Sequence, residues 1–189
     1  MSKDKVTVGV VGLGIWGQQH PLVYDDYDGA DLVVVCDLNE ERAREFASKY
    51  GCEWTTSVDE LVTSDVAAIS VATPDYAHFE PVMALLKAGK HVLVEKPLTT
   101  DLSEALKLEA AAQEQGVVAM VDFHQRWNPD CMLIKEAIES GKIGDPFMGY
   151  FRLSDAIDVA LQWLPWAGRS GPEWFLFPHT MDLANWLLG

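Results

Sequence analysis

Short runs of consecutive apolar residues, separated by amphipathic segments, dominate roughly the first two thirds of the chain. Such unbroken runs are typical of parallel β-strands that are buried on both faces of a sheet. The amphipathic segments between them predict the crossover helices of βαβ units. The runs are VTVGVV (6–11), LVVVC (32–36), the weaker CEWT (52–55), VAAISVA (66–72), HVLVE (91–95) and VVAMVDF (117–123). With right-handed crossovers, six strands predict an α/β fold with a doubly wound parallel sheet in the Rossmann order.

Capping residues mark the ends of the predicted helices. A serine or aspartate followed three residues later by glutamate begins a helix, and a glycine in the left-handed conformation ends one. The helices predicted in this way include 77–88 and 102–115. The capping residues are Ser57 with Glu60, Asp101 with Glu104, Gly89 and Gly116.

The pattern changes after Asn128 and Pro129. A helix is predicted over 130–140, closed by Gly141, and the run FMGYFRL predicts one more strand over 147–153. An irregular stretch broken by prolines and glycines follows. We therefore predict a Rossmann domain over 1–123 and the start of an α+β second domain over 124–189.

The charge balance argues against a nucleic-acid partner. The 189 residues include 29 acidic and 14 basic side chains, a formal net charge of −15. Such a surface would repel a polyanion. No stretch approaches the length of an apolar membrane span, and the first residues lack the pattern of a signal peptide. We expect a cytoplasmic protein whose partner is a small molecule and neither nucleic acid nor a membrane.

Three cysteines, Cys36, Cys52 and Cys131, show no spacing typical of metal ligands, and no metal site is predicted. An odd and sparse set is typical of a reducing compartment, where each thiol acts as a small apolar side chain. A redox or nucleophilic role for one of them is the alternative.

A glycine-rich loop directly after the first strand predicts a dinucleotide site. Glycines 12, 14 and 17 form G-x-G-x-x-G, in which the first makes a tight turn, the second lets a pyrophosphate approach and the third lets helix and strand pack closely. The N-terminus of the following helix would favour the phosphate charge. The residues predicted to contact the cofactor here are Gly12, Leu13, Gly14, Ile15, Trp16 and Gly17.

Asp37 follows Gly17 by twenty residues, at the end of the second strand. Its carboxylate would accept hydrogen bonds from the adenosine ribose and repel a 2′-phosphate, so NAD is favoured over NADP. A glycine turn without a ligand is one alternative. A methyltransferase is another, although Val10 and Val11 stand where its loop usually carries an acidic residue.

Further motifs resemble the Gfo/Idh/MocA family of oxidoreductases, which includes inositol and glucose–fructose dehydrogenases. The family pattern runs T-P-N-x-x-H, A-G-K-H-V, E-K-P, G-F-N-x-R-F-x-P, G-x-I-G-x-P and H-x-x-D-x-x-x-W-L-x-G. The matching segments here are TPDYAH (73–78), AGKHV (88–92), EKP (95–97), VDFHQRWNP (121–129), GKIGDP (141–146) and HTMDLANWLLG (179–189).

The resemblance implies a catalytic pair, Lys96 and His179. Lys96 would hydrogen-bond the reacting oxygen, on a tight turn that a cis proline at position 97 would suit. His179 would be its acid–base partner, at the start of a helix whose dipole favours the neutral ring, and Asp182 could fix the tautomer. The alternatives are a strand-end lysine paired with Glu95 and a core histidine among aromatic side chains.

By the same resemblance, Thr73, Pro74 and His78 would line the nicotinamide side of the cofactor, and Glu95 would also contact the cofactor. Considered alone, His78 would cap its own helix. His124 occupies the place of the family's asparagine, and Phe175 stands where many relatives carry an aspartate four residues before the histidine.

Family members continue past this helix into a large, mostly antiparallel sheet, so the second domain is expected to be incomplete. A homo-oligomer, or association through an exposed C-terminal aromatic region, would follow. The leading functional hypothesis is an NAD(P)-dependent dehydrogenase that moves a hydride to or from a sugar- or polyol-like substrate. A non-catalytic nucleotide-binding remnant or a regulatory or scaffolding subunit is the alternative.

Overall fold

A computed structural model of the protein describes residues 5–189. The chain divides into two compact units, the first ending at Val121 and the second spanning Asp122–Gly189. Independent folding of 1–123 and 124–189 as domains stays a prediction.

A six-stranded sheet forms the centre of the first unit, and its strands match the six apolar runs. Its order is β3-β2-β1-β4-β5-β6, the Rossmann order. β1 pairs in parallel with β2 and β4, β2 with β3, and β4 with β5. The strands are β1 (Val6–Val11), β2 (Ala30–Cys36), β3 (Glu53–Thr55), β4 (Ala68–Val71), β5 (His91–Glu95) and β6 (Ala119–Asp122). The predicted doubly wound α/β fold is confirmed.

Helices connect the strands and cover both faces of the sheet. The helices of this unit are α1 (Gln19–Asp26), α2 (Glu40–Tyr50), α3 (Val58–Thr63), α4 (Phe79–Lys87) and α5 (Leu102–Gln115). One apolar core joins the sheet to α3, α4 and α5 and includes Leu61, Leu85 and Leu108. A smaller core includes Val10 and Val35, against which α1 and α2 pack. The central strands β1, β2, β4 and β5 are therefore covered on both sides, as their unbroken apolar runs predict, whereas the edge strand β6 is partly exposed.

The predicted capping residues lie at the ends of the helices. Ser57 Oγ accepts from the Asp59 amide, and Asp101 accepts from the amides of Ser103 and Glu104. Glu104 accepts from the Thr99 hydroxyl at 2.9 Å. Gly89 and Gly116 have φ of +74° and +64°, the left-handed conformation expected of them.

The second unit is helical, and its predicted strand is absent. Its helices are α6 (Pro129–Glu139), α7 (Pro172–Phe175) and α8 (Phe177–Leu188), with a π-helical turn at Val159–Trp163 and short 3-10 turns at His124–Trp127 and Ala167–Arg169. The helix predicted over 130–140 is confirmed within a residue at each end. Residues 144–156 form neither helix nor strand, so the strand predicted over 147–153 is wrong. A strand requires a neighbouring strand for its backbone groups, and apart from Asp122, the last residue of β6, none of the described residues of this unit is in a strand.

Among the described residues, 5–189, there is no helix with both the length and the apolar character needed to cross a membrane.

The core under the sheet yields a test of the fold. Leu85 of α4 is fully buried, whereas Leu106 of α5 is 56% exposed. We expect Leu85→Ala to lower the free energy of unfolding by about 2–5 kcal/mol because it leaves a cavity. Leu106→Ala should change it by less than about 0.5 kcal/mol. Urea denaturation followed by circular dichroism measures both, and equal losses would contradict this assignment of the core.

Candidate cofactor and active site

Four strands of the first unit end at the same edge of the sheet, and each is followed by a residue that is predicted from the sequence to belong to the site. Gly12 follows β1, Asp37 follows β2, Thr73 lies two residues after β4, and Lys96 follows β5. β1 and β4 are neighbours at the point where the strand order reverses. Open α/β sheets bind their ligands in the crevice at this point, beyond the carboxyl ends of the strands.

The three loop glycines have different spatial requirements. Gly12 has φ of +88°, and a Cβ there would lie 2.7 Å from the Ala72 carbonyl oxygen. A Cβ on Gly17 would lie 1.9 Å from the carbonyl oxygen of Gly12. Gly14 has open space around its Cβ position, since no atom of residues 5–189 other than those of its chain neighbours is found within 4 Å. The first and third glycines are required by packing, and the second leaves room for a ligand such as a pyrophosphate.

The residues between the glycines divide in the same way. Leu13 is buried in the smaller core, whereas Ile15 and Trp16 are 41% and 55% exposed. The loop thus presents Gly14, Ile15 and Trp16 outward. α1 begins at Gln19, two residues beyond Gly17, after a turn in which the Gly14 carbonyl accepts from the Gln18 amide.

Asp37 is buried and tied to the glycine loop. One carboxylate oxygen accepts from the Leu13 amide at 2.8 Å and the other from the Asn39 amide at 2.8 Å. The Arg42 guanidinium donates to the same carboxylate at 3.2 Å. No role for Arg42 was predicted from the sequence. Its position in the first turn of α2, five residues after Asp37, could have indicated this contact. An arginine here offsets the charge with which Asp37 would repel a 2′-phosphate.

The cysteines of the first unit are protonated thiols at neutral pH. Burial, with the charges of Asp37 and Glu60, raises the pKa of Cys36 to about 11. Burial also raises the pKa of Cys52. Both shifts favour the predicted role of small apolar side chains over that of a nucleophile.

Lys96 lies buried on the turn after β5, with 9% of its surface exposed. Burial lowers the pKa of Lys96 from its usual value, and the charges of Glu95 and Asp75 oppose that shift. The Lys96–Pro97 peptide bond is cis, the conformation that the sequence suggests. Glu95 contacts the His20 ring at 3.4 Å. A buried ammonium among carboxylates at a ligand-binding edge has the features of a functional lysine.

His78 joins the loops after β4 and β5. Its ring is 1% exposed, with Nδ1 2.7 Å from the Pro97 carbonyl oxygen and Nε2 2.8 Å from the Thr73 carbonyl oxygen. Burial lowers the pKa of His78, while these carbonyls and the charges of Asp75 and Glu95 oppose the shift. The residue precedes α4 but makes no capping bond with its side chain, so the helix-capping alternative is wrong.

The second unit contains the other predicted catalytic residue. His179 is the third residue of α8, with Pro178 in the first turn, and is 8% exposed. Its ring packs edge-on against His124, with the ring centroids 4.8 Å apart. This contact with His124, in the place of the family's asparagine, is not foreseeable from the sequence.

Asp182 forms a bidentate ion pair in the same unit. Its two oxygens accept from Arg126 Nε at 2.9 Å and from the terminal guanidinium nitrogen at 2.5 Å. The bond to Asp182 raises the pKa of Arg126. Asp182 thereby joins α8 to the 3-10 turn at His124–Trp127. These are the two segments that carry the paired rings of His179 and His124.

The fold, the glycine loop and the acid after β2 define a dinucleotide-binding Rossmann domain. A sequence profile described as the oxidoreductase family with an NAD-binding Rossmann fold matches residues 6–123, more than half of the chain. The chain belongs to this family, Gfo/Idh/MocA, whose cofactor is NAD.

Individual relatives agree with the family match. Inositol 2-dehydrogenase from Rubrobacter xylanophilus is 34% identical, over 98% of this chain and 53% of its own. Myo-inositol 2-dehydrogenase from Thermotoga maritima is 30% identical, over 96% and 54%. The crystal structure of the WlbA dehydrogenase from Bordetella pertussis in complex with NADH and UDP-GlcNAcA superposes with a TM-score of 0.83 at 28% identity, over 100% and 57%. The chain thus spans about half the length of these relatives.

The glycine geometry predicts two different mutant phenotypes. Gly17→Ala should lower the free energy of unfolding by about 1–3 kcal/mol, because the new methyl group would overlap the backbone of Gly12. Gly14→Ala should leave stability within about 0.5 kcal/mol but weaken NADH binding about tenfold or more, because its methyl group occupies the ligand's approach. Urea denaturation and fluorescence titration with NADH separate the two effects. A Gly14→Ala variant with normal affinity would contradict the assignment of the phosphate site.

The Asp37–Arg42 pair predicts opposite shifts in cofactor preference. Asp37→Asn should move the ratio of NADPH to NADH affinity toward NADPH by about tenfold, because a negative charge near the 2′-phosphate is removed. Arg42→Gln should move it toward NADH. Arg44, which pairs with Glu40 on the same helix, provides the control variant Arg44→Gln. Titration with both cofactors is the measurement, and equal changes for NADH and NADPH would contradict the predicted role of the pair.

Proposed function

We propose that the protein is an NAD-dependent oxidoreductase that transfers a hydride between the nicotinamide and a carbon bearing a hydroxyl or carbonyl group. The observation that carries the proposal is Lys96, a buried ammonium at the carboxyl edge of a sheet whose glycine loop fits a dinucleotide. Sugar- or polyol-like molecules are the proposed substrates, supported by the relatives named as inositol 2-dehydrogenases.

Residues of the first unit would hold the cofactor. The backbone amides of the loop at 12–17 would bind the pyrophosphate, with Gly14 allowing the close approach. Asp37 would accept from the adenosine ribose, and Thr73, Pro74, His78 and Glu95 belong to the segments proposed to surround the nicotinamide. When bound, the nicotinamide accepts or supplies the hydride.

Lys96 would donate a hydrogen bond to the reacting oxygen of the substrate. In the direction of oxidation, negative charge develops on this oxygen as its proton departs, and a nearby ammonium stabilises that charge. Burial strengthens the effect because little water competes for the same bond. The lowered pKa of Lys96 also makes its proton easier to share with the oxygen.

His179 would take the proton of the substrate hydroxyl in oxidation and return it in reduction. An imidazole is the side-chain group suited to accept and return a proton near neutral pH. The ion pair between Arg126 and Asp182 would hold the helix segment in place. His124, packed on His179, would support the orientation of the ring.

A non-catalytic nucleotide-binding protein is the competing proposal, favoured by Phe175 in a position where many relatives carry an aspartate. The two proposals share NADH binding and differ in turnover. Titration with NADH and with S-adenosylmethionine, the cofactor of the methyltransferase alternative, identifies the cofactor class. If the protein binds neither NADH nor NADPH, both proposals are contradicted.

Turnover on a panel of polyols and sugars tests the proposed catalytic lysine. Lys96→Ala should lower kcat about 10²–10³-fold while NADH still binds, because a donor to the developing oxyanion is lost. The exposed Lys107 on α5 provides the control variant Lys107→Ala, for which no change is expected. Nicotinamide absorbance follows both reactions, and a Lys96→Ala variant with unchanged activity would rule out the mechanism.

The cytoplasm is the proposed location, supported by three free cysteines. We also propose association through the second unit, as a homo-oligomer or through its aromatic region. Phe147, Tyr150 and Trp163 are each more than half exposed there. Sedimentation velocity over a range of concentrations tests this, and a monomer throughout would contradict it.

A further inference from the structure

The ring of His78 occupies the gap between two loops that leave neighbouring strands. The last paired residues of these strands are Val71 on β4 and Val94 on β5. Beyond this pair, the backbone ladder no longer connects the two segments. His78 spans them there, because its two nitrogens lie 2.7 and 2.8 Å from the carbonyl oxygens of Pro97 and Thr73.

This connection lies next to Lys96 in the chain. Pro97 directly follows the lysine, so a bond to its carbonyl restrains the turn that carries the ammonium. A neutral imidazole donates to one of the two carbonyls, and a protonated one donates to both. In either state the ring fills the gap between the loops and satisfies at least one buried carbonyl.

The surroundings of His78 favour a fixed ring. It is 1% exposed, and the charges of Asp75 and Glu95 act on both His78 and Lys96. A buried histidine whose two nitrogens face protein carbonyls acts on a bound ligand through the groups that it holds in place. The segment it holds is the one that carries the proposed catalytic lysine.

We propose that His78 is a positioning residue for Lys96, holding the turn after β5 through the carbonyls of Pro97 and Thr73. The inference deepens the proposed function, because it rests on Lys96 as the residue that acts on the substrate oxygen. The position of the lysine can nevertheless be measured without any turnover.

The test measures how readily each lysine reacts with an amine-acylating reagent, by peptide mass spectrometry at fixed pH. His78→Phe keeps a ring but removes both ring nitrogens, so Lys96 should become about tenfold more reactive, on the scale of one lost hydrogen bond. His78→Gln retains an N–H donor and should give a smaller increase. Lys107 is the internal reference for reagent activity.

A matched control lies at the other end of β5. His91 also connects two strand segments, since its Nδ1 accepts from the Val118 amide at 3.0 Å. His91→Gln should leave the reactivity of Lys96 unchanged. Lys90, whose ammonium donates to the Ser64 carbonyl, reports unfolding of the unit as a whole.

The outcomes separate a positioning role from a general structural one. A rise at Lys96 with Lys90 unchanged, in either His78 variant, supports the proposal. Unchanged reactivity of Lys96 in both variants overturns it, as does an equal rise at Lys90 in the milder His78→Gln variant. If His78→Phe unfolds the unit, His78→Gln alone decides.

A kinetic comparison then links the position of the lysine to the proposed reaction. His78→Gln should lower kcat about tenfold and raise the dissociation constant of NADH by a smaller factor, because the cofactor loop at 12–17 is untouched. An inactive wild type would contradict the proposed function while leaving the acylation result valid, so the two failures are distinguishable.

Discussion

The site in the first unit depends on a contact between backbones that only glycine permits. The carbonyl oxygen of Gly12 lies where a Cβ of Gly17 would be, and the Ala72 carbonyl lies against Gly12. This packing brings the loop after β1 to the start of the loop after β4. It also places the Leu13 amide within 2.8 Å of the Asp37 carboxylate, which in turn holds Arg42. One steric requirement therefore arranges the glycine loop, Asp37 and Arg42 together, while Gly14 is left open for a ligand.

Local signals were sufficient for most of the first unit. α5 runs from Leu102 to Gln115 as predicted, because Asp101 and Gly116 define its ends through bonds to their near neighbours. The central strands were recognisable because residues on each face of the sheet are buried. Val10 lies in the smaller core on one face, and Val71 lies in the larger core on the other. The apolar run at 147–153 carries the same kind of signal but has no strand beside it. Apolar composition shows that a segment can form a strand, and a partner decides whether it does.

The contacts that shape the site were harder to foresee because they join distant parts of the sequence. His78 and Pro97 are 19 residues apart, and Arg126 and Asp182 are 56 apart. Each residue type was visible, and the resemblance to a family singled out His78, Lys96 and His179. The contact partner of each side chain depends on the path of the loops that follow neighbouring strands or helices. Spacing along the chain does not predict that path. Arg42 is the intermediate case, because it lies five residues from Asp37.

The charge around Lys96 shows how one departure from the family pattern can be compensated within the fold. Asp75 stands where that pattern has asparagine, and it is buried with 4% of its surface exposed. A carboxylate there would be costly alone, because burial penalises an isolated charge. It lies in the field of Lys96, whose pKa it raises against the effect of burial, and its own oxygen accepts from the Tyr76 amide at 2.7 Å. The aspartate thus favours the charged form of the lysine, and that form is the one able to stabilise a developing oxyanion.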